Sequence, residues 1–346
     1  METNPIFGLL LIAIGAFSAS SFYVPFTKVK GIAWEIYWMI GGLFSWIVVP
    51  VVVSMITVPD FISFLFQIPN DLLVWPFIFG ILYGFGGLTF GLAMRYLGLS
   101  LGYAITLGVI ATFGTLIPPI VNGQFIQMTT STGGLITLAG IVSTLIGIGI
   151  TGKAGILKDK NISDENKKET IVEFNFRKGV LVALFAGTMS ACFAFGIAAG
   201  KPIADLTVEH GVNPLWRQNP VYVIMLLGTF LTNFVWCFYQ AIRNKTMGDF
   251  LKAGSVPWVK NYLFAALGGS LWYFQFMLYG MGESKLGKFG FAGWSILMAL
   301  TIVFSTFWGL YRNEWKNSGK LILRVLTIGL LVLIVSTFII GLGGLF

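Results

Sequence analysis

The sequence is poor in charged residues and in the side chains that perform most catalysis. Asp, Glu, Lys and Arg make up 10% of the 346 residues and 56% are hydrophobic, whereas an average soluble domain has about 25% charged residues. His210 is the only histidine, so neither a histidine-based triad nor a multi-histidine metal site can form. A Walker A phosphate loop is missing too, which excludes ATP as an energy source within this chain. We therefore expect no enzyme and no cofactor.

The two cysteines, Cys192 and Cys237, both lie inside apolar runs. They have neither the spacing of metal ligands nor the setting of a disulfide framework. We expect both to be small buried hydrophobic residues.

Long apolar runs dominate the rest of the chain and predict an all-α polytopic membrane protein. A bilayer core of about 30 Å takes roughly 20 apolar residues per helix. The runs are too long and too little alternating for the strands of a membrane barrel. Ten transmembrane helices are expected, at about 5–24, 34–57, 73–94, 97–119, 132–151, 179–199, 219–241, 258–281, 288–311 and 321–345.

The basic residues are distributed unevenly between the two sets of loops. All but four of the 22 lysines and arginines fall near the loops that follow the first, third, fifth, seventh and ninth runs; the exceptions are Lys201, Arg217, Lys285 and Lys288. The positive-inside rule places the basic side in the cytoplasm and both termini outside. Because topology accounts for the net charge of +8, nucleic-acid binding is not expected.

One long polar segment divides the chain into two sets of five runs. This segment, 152–178, is expected to be a cytoplasmic linker loop between a first five-helix repeat at 1–151 and a second at 179–346. Since five is odd, the second set enters the membrane upside down relative to the first. Residues 15–19 (GAFSA) echo residues 187–191 (GTMSA) at corresponding places. An inverted repeat of this kind is typical of secondary transporters.

A few polar groups stand out within the apolar runs. The carboxamides of Asn233 and Gln275 are costly in hydrocarbon unless they meet a partner or line a wet cavity; a hydrogen bond between helices is the alternative to a solute contact. Glu35 lies at the mouth of the second run, where a carboxylate invites a functional explanation. Its alternative is an ion pair with Lys28 or Lys30 in the headgroup zone.

Aromatic residues are dense, and two of them fall near the middle of the eighth run. Trp272 and Tyr273 lie beyond the reach of an interfacial aromatic belt, whereas a belt explains Trp34 and Trp38. An aromatic face beside a carboxamide suits a sugar ring, which has apolar faces and a polar edge. Ordinary core packing is the competing interpretation.

Glycines recur at four-residue spacing in the third run, at Gly80 and Gly84 and again at Gly87 and Gly91. Such pairs let helix backbones approach closely. They serve either simple packing or a sliding interface.

Several motifs resemble a known family over nearly the whole chain. They are Phe22-Tyr23-x-Pro25-Phe26-x-Lys28-Val29-Lys30, Trp34-Glu35-x-x-Trp38-x-x-Gly41-Gly42-x-x-Ser45-Trp46, Met94-Arg95-Tyr96-Leu97-Gly98 and Trp272-Tyr273-x-Gln275-Phe276. In these motifs the chain is similar to the bacterial L-rhamnose–proton symporters of the drug/metabolite transporter superfamily. The resemblance implies ten helices in two inverted halves and an inner-membrane location.

The resemblance also implies a function and a set of roles. The expected function is import of L-rhamnose or a related deoxyhexose with protons, through a cavity lined by the first four helices of each half. Glu35 is the first candidate for the proton carrier and Glu283 the second. The residues expected to bind the sugar are Asn233, Gln275, Trp272, Tyr273, Tyr83 and Trp46.

Two other functions stay open at this point. An exporter or antiporter of amino acids or other metabolites belongs to the same superfamily. An integral membrane enzyme is disfavoured, because no paired acids, histidine cluster or nucleophile–base pair can be assembled from these residues.

Overall fold

The chain folds into a bundle of helices. The computed structural model describes residues 3–97, 99–160, 175–251, 257–313, 315–316 and 318–346, and it contains no strand within these ranges. The helices are α1 (Pro5–Ser21), α2 (Tyr23–Phe26), α3 (Trp34–Leu43), α4 (Val49–Thr57), α5 (Phe61–Gln67), α6 (Asn70–Leu97), α7 (Leu99–Val121), α8 (Phe125–Thr130), α9 (Thr132–Lys160), α10 (Phe176–Ala199), α11 (Lys201–Glu209), α12 (Asn219–Arg243), α13 (Trp258–Glu283), α14 (Gly293–Tyr311) and α15 (Gly319–Gly343).

The polytopic helical class predicted from the sequence is confirmed. Eight helical stretches of the described chain are long and apolar enough to cross a bilayer: Pro5–Phe26, Trp34–Thr57, Asn70–Ala93, Thr132–Lys158, Arg177–Glu209, Pro214–Arg243, Gly290–Tyr311 and Gly319–Gly343. α7 and α13 occupy the places of the predicted fourth and eighth spans. Within α7, the described residues Ile105–Val121 form a shorter apolar helical stretch.

The helix ends differ from the predicted ends mainly at the fifth span. α9 continues to Lys160 instead of ending near residue 151, so the expected linker loop 152–178 begins as helix, and its residues 161–174 lie outside the described chain. The helix continues because Ala154 is fully buried and Lys158 lies over the Trp315 ring, with its Nζ 4.6 Å from the ring centroid.

The second span is interrupted at its centre. α3 ends at Leu43, a π turn covers Phe44–Val48, and α4 begins at Val49 with Pro50 in its first turn. Proline has no backbone N–H and cannot donate to the residue four positions earlier, which here is Trp46. A π turn in an α-helix frequently accompanies a functional site.

The helices pack in a paired pattern. α1 packs along α13 and α14, while α10 packs along α6 and α7. α9 packs along α15, and the α3–α4 span lies against α12 and α13. Glycines allow the closest approaches: a Cβ atom on Gly8 would lie 2.8 Å from the Gly282 carbonyl oxygen, and one on Gly282 would lie 2.7 Å from that of Gly8.

The loops gather at two opposite ends of the bundle, as the predicted alternation requires. At the basic end, the Lys30 backbone N–H donates to Asn261 Oδ1 (3.0 Å), and the Asn261 side chain donates to the Lys30 carbonyl oxygen (2.7 Å). At the other end, the Asn4 N–H donates to the Lys285 carbonyl oxygen (3.1 Å). There Asn219 Nδ2 also donates to Thr57 Oγ1 (2.9 Å). Loops that the sequence assigns to one side of the membrane therefore contact each other.

The glycine spacing of the third span has two different outcomes. Gly80 and Gly84 face α12, where a Cβ on Gly80 would overlap the Met225 backbone and one on Gly84 would lie 2.7 Å from Thr232 Cβ. Gly87 and Gly91 have no atom of the described residues within 4 Å of the Cβ position. Only the first pair brings two helices together.

Replacing Gly80 by alanine is therefore expected to destabilise the protein. The methyl group would push α6 away from α12, and overpacking of this kind costs roughly 1–3 kcal/mol. Melting of the detergent-solubilised protein, followed by size-exclusion fluorescence, should show a lower Tm for Gly80→Ala. Gly87→Ala is the matched control and should leave the Tm unchanged or slightly raised, because alanine favours the helix. Equal losses in both variants would contradict this packing.

Candidate functional site

Three tryptophans from two spans meet in the middle of the bundle. We call Trp38, Trp46 and Trp272 the tryptophan cluster. The ring centroids of Trp38 and Trp46 are 6.2 Å apart, and those of Trp38 and Trp272 are 6.5 Å apart. Phe22 closes one side, with its ring centroid 4.2 Å from that of Trp272. The structure thus brings together two of the residues predicted to bind sugar, Trp46 and Trp272.

Glycines make room for these rings. A Cβ on Gly42 would overlap the Trp46 ring, and a Cβ on Gly269 would overlap the Gly41 carbonyl oxygen. The backbone of Gly41, Gly42 and Gly269 therefore lines the cavity directly and leaves room for the aromatic rings. The sequence patterns Gly41-Gly42 and Gly268-Gly269 are therefore part of the site.

A small cavity lies within the tryptophan cluster. The volume of this cavity is about 10 Å³, which is room for about one water molecule. The walls are thus closed on one another, and a hexose enters only if aromatic side chains or helices move. The lining residues are Phe22, Phe26, Trp38, Gly41, Gly42, Ser45, Trp46, Gly269 and Trp272.

Three of the lining residues carry a buried polar atom without a protein partner, although the surface of the closed cavity itself is apolar. These atoms are Ser45 Oγ, Trp46 Nε1 and Trp272 Nε1, and none of them has a hydrogen-bond partner among the described residues. Leaving a buried donor or acceptor unpaired costs about 1–3 kcal/mol, and such groups are rare in native proteins. Two indole N–H donors and a hydroxyl beside aromatic faces suit a neutral polyhydroxylated ligand.

Asn233 supports the cluster from behind and does not line the cavity. Its Oδ1 accepts a hydrogen bond from Trp38 Nε1 (3.2 Å), and its Nδ2 donates to the Thr229 carbonyl oxygen (3.0 Å). The carboxamide is 3% exposed. Asn233 on α12 therefore fixes the orientation of Trp38 on α3.

Gln275 lies one turn along α13 from Trp272, at the contact with α1. Gln275 is buried, and a Cβ on Gly15 would lie 3.1 Å from the backbone carbonyl oxygen of Gln275. The side-chain carboxamide makes none of the hydrogen bonds found within the described chain. It is not among the residues that line the cavity.

Tyr83 borders the tryptophan cluster, with its hydroxyl close to the Trp272 side chain, whereas Tyr273 lies outside the cluster. Tyr83 belongs to an aromatic layer with Phe193 and Phe276, at centroid distances of 4.9 and 6.1 Å. Phe276 connects this layer to Trp272, 6.4 Å away. Tyr273 is fully buried, its hydroxyl has no partner among the described residues, and it lies near Tyr222.

Glu35 is buried at the basic end of the bundle. Only 1% of it is exposed, and its Oε1 accepts hydrogen bonds from Thr246 Oγ1 (2.7 Å) and Asn244 Nδ2 (3.1 Å). Both donors lie in the loop that follows α12. The alternative ion pair with Lys28 or Lys30 is not found among the described residues. Glu35 is thus tied to a loop and lies one helical turn before Trp38.

Glu283 is at the opposite end of the bundle, in the last turn of α13. Its Oε2 is 3.3 Å from Arg217 Nη2 in an ion pair, and it accepts a weak hydrogen bond from Gln218 Nε2 at 3.4 Å. Both charged side chains are mostly buried. The two candidate proton carriers therefore lie at opposite ends, with the tryptophan cluster between them.

Sequence reasoning missed several residues of this site. The sequence pattern predicts an interfacial position for Trp38, yet this residue lies at the centre of the cluster. The signal in the sequence for this part of the site is Pro50, which indicates a break in the second span close to Ser45 and Trp46. Arg217 is one of only four basic residues on the less basic side, and this isolated position could indicate an acidic partner.

The described residues hold no group of three or more His, Cys, Asp or Glu side chains that could bind a metal ion. The lining residues of the cavity offer hydrogen bonding and aromatic stacking, and the carboxylates of Glu35 and Glu283 can bind protons.

Comparison with known proteins agrees with these features. The family model described as L-rhamnose-proton symport protein matches residues 1–345. The L-rhamnose-proton symporter of Mannheimia succiniciproducens is 37% identical over 346 residues, 99% of each chain. Those of Klebsiella pneumoniae and Citrobacter koseri are 36% and 37% identical over 340 residues, 97% of each chain.

Together with the eight apolar helices, these matches make the chain a multi-pass membrane protein. It is a transporter and not an enzyme. The chain belongs to the L-rhamnose-proton symport protein family.

Proposed function

We propose that this chain imports L-rhamnose, or a related deoxyhexose, together with protons by alternating access in the bacterial inner membrane. The observation that carries the proposal is the tryptophan cluster with three unpaired polar atoms around one cavity. The names of the relatives supply the sugar and the coupled ion. Trp46 and Trp272 would bind the sugar directly, with Asn233 positioning Trp38.

The other residues predicted to bind the sugar, Gln275, Tyr83 and Tyr273, do not line the cavity of the tryptophan cluster. Gln275 carries a buried carboxamide without a hydrogen-bond partner among the described residues, so it is available when α1 and α13 separate. Tyr83 and Tyr273 flank the aromatic layer next to Trp272. We propose that these three side chains contact the sugar in other conformations of the cycle.

We also propose the ten-span inverted repeat, with halves 1–151 and 179–346 joined by 152–178. The packing pattern supports it. An inverted repeat relates each of the first five spans to the span five places later. It therefore relates the α1–α13 contact to the α10–α6 contact and the α1–α14 contact to the α10–α7 contact, and all four contacts are observed. The α9–α15 contact joins two related spans and is related to itself. In this scheme α7 and α13 are the fourth and eighth spans, and the halves rock against each other.

The proposed orientation has the basic loops in the cytoplasm and both termini outside. Single cysteines at two exposed positions test it: Arg243→Cys at the basic end and Glu209→Cys at the other, in a background with Cys192 and Cys237 replaced. In intact cells, a membrane-impermeant maleimide should label the cysteine at 209 and label that at 243 only after lysis. The reverse pattern would contradict the orientation.

Proton binding at Glu35 offers a direct route to coupling. The carboxylate is held by charge-assisted hydrogen bonds from the loop after α12, which weaken when it is protonated. One turn further along α3, Trp38 is held by Asn233 of α12. Proton and sugar would thus act on the same α3–α12 contact, and each would raise the affinity for the other. Glu283, paired with Arg217, is the second candidate.

Glu35→Gln is expected to abolish rhamnose-driven proton uptake in proteoliposomes while rhamnose counterflow survives. Glutamine keeps the size of the side chain but binds no proton in this range. Asp205→Asn is the control, because Asp205 forms an exposed ion pair with Lys201, and coupling should be retained there. Intact coupling in Glu35→Gln would remove Glu35 from the role and leave Glu283 to be tested.

Trp272→Phe is expected to raise the KM for L-rhamnose by about tenfold, because the sugar loses an indole donor worth about 1.4 kcal/mol. The measurement is uptake of labelled L-rhamnose in cells without another rhamnose transporter. Trp258→Phe is the matched control: it lies in the first turn of the same helix with an exposed ring. An unchanged KM in Trp272→Phe would exclude the tryptophan cluster as the sugar site.

The sign of the pH change separates import from the alternative of export or antiport. In lightly buffered, de-energised cells, adding L-rhamnose should make the medium more alkaline as protons enter with the sugar. Acidification of the medium would instead indicate an antiporter.

A further inference from the structure

A second group of unpaired polar atoms begins at the end of the bundle opposite the basic loops and extends towards the tryptophan cluster. Arg217 Nε, Gln218 Oε1 and the hydroxyls of Tyr222 and Tyr273 are buried and have no hydrogen-bond partner in the described part of the chain. Gln218 is 5% exposed, and both tyrosines are fully buried. These atoms come from α12, its preceding turn and α13, so they converge from two helices.

The atoms of Arg217, Gln218 and Tyr222 are grouped around Gly280 and Glu283. A Cβ on Gly280 would lie 2.5 Å from the Tyr222 hydroxyl and 3.1 Å from Gln218 Cβ. The Tyr222 hydroxyl also lies near the side chains of Glu283 and Tyr273. Glu283 joins the group to Arg217 through their ion pair.

A purely structural ion pair does not explain this arrangement. The Arg217–Glu283 pair uses only Arg217 Nη2 and Glu283 Oε2, with Gln218 Nε2 as a further donor. It leaves one donor, one carbonyl acceptor and two hydroxyls unpaired, and each costs about 1–3 kcal/mol when buried. Because the two charges cancel, the group suits a neutral ligand with several hydroxyls better than an ion.

Arg217, Gln218 and Tyr222 are separate from the tryptophan cluster, whereas Tyr273 is the neighbour of Trp272 in α13. Trp272 and Glu283 are eleven residues apart on α13, which is about 16 Å at 1.5 Å per residue. The aromatic layer lies between the two: Phe193 stacks on Phe276 at 3.9 Å and on Tyr222 at 6.0 Å. A sugar moving from one group to the other would pass these rings.

We propose that Arg217, Gln218 and Tyr222 form a second sugar-binding subsite, which holds the hydroxyls of the neutral sugar before it passes Tyr273 and reaches the tryptophan cluster. The Glu283 carboxylate orients Arg217 and Gln218 within it. This inference rests on the proposed function, because it assigns the same sugar to both sites.

Tyr222→Phe tests the subsite with least disturbance, because it removes one hydroxyl and keeps the ring stacked on Phe193. The KM for L-rhamnose uptake should rise about three- to tenfold with kcat largely kept, and Gln218→Leu should act in the same direction. Tyr239→Phe is the matched control: its side chain is exposed on the same helix, and its KM should equal that of the unaltered protein. An unchanged KM in both Tyr222→Phe and Gln218→Leu would overturn the subsite.

A binding measurement separates the subsite from effects on folding. L-Rhamnose should still bind weakly to purified Trp46→Phe/Trp272→Phe protein in calorimetry, and adding Tyr222→Phe should reduce this remaining affinity. Absence of the remaining binding, or binding insensitive to Tyr222→Phe, would overturn the proposal. The two proposals fail differently: if the unaltered protein takes up no rhamnose, the proposed function is wrong, whereas normal uptake with insensitive variants contradicts the subsite alone.

Discussion

The need to pair polar atoms where water is excluded is the constraint on which the rest of this structure depends. Most polar side chains in the described bundle meet it within the protein: hydroxyls donate to carbonyls one turn earlier, and Asn233 and Asn261 bridge helices. Seven of the ten exceptions within the described chain belong to residues that line the cavity of the tryptophan cluster or to the group of Arg217, Gln218, Tyr222 and Tyr273, and the other three belong to Ser54, Thr106 and Trp294. Both places combine unpaired donors with aromatic faces. A sugar offers hydroxyls and apolar faces together, so it would satisfy atoms that the protein leaves without partners.

The contact between α3 and α12 explains how a proton and a sugar could act on one movement. α3 is anchored to α12 at Trp38–Asn233 and to the following loop at Glu35–Thr246. Immediately after these anchors, the π turn before Pro50 interrupts the regular helix. A change in either anchor therefore acts on a span that already contains a break. Because binding free energies are reciprocal, a sugar and a proton that favour the same arrangement of this contact raise each other's affinity by the same factor.

Much of the fold could be predicted from the sequence, because in a bilayer the length and apolarity of a run largely determine its structure. The starts of α1 and α3 and the grouping of the basic loops follow from such patterns. The end of α9 could not be predicted, because its continuation depends on burial of Ala154 and on the ring of Trp315, far along the chain. For the site, Trp46 and Trp272 could be selected as aromatic residues within spans, but their meeting depends on close backbone packing at Gly41 and Gly269. Two contacts of the site could not be predicted: the hydrogen bond from Trp38 to Asn233 and the ion pair of Arg217 with Glu283. Both join residues far apart in the chain, and no local sequence pattern indicates such a contact.

An electron cryo-microscopy structure of the protein with L-rhamnose bound would test most directly whether the tryptophan cluster is the sugar site. We expect an enlarged cavity with the sugar between the Trp46 and Trp272 rings and with sugar oxygens at hydrogen-bond distance from both indole nitrogens. Asn233 would still hold Trp38 in that structure. A sugar bound elsewhere, with the tryptophan cluster closed as it is now and its indole nitrogens still unpaired, would contradict the assignment of the tryptophan cluster as the sugar site.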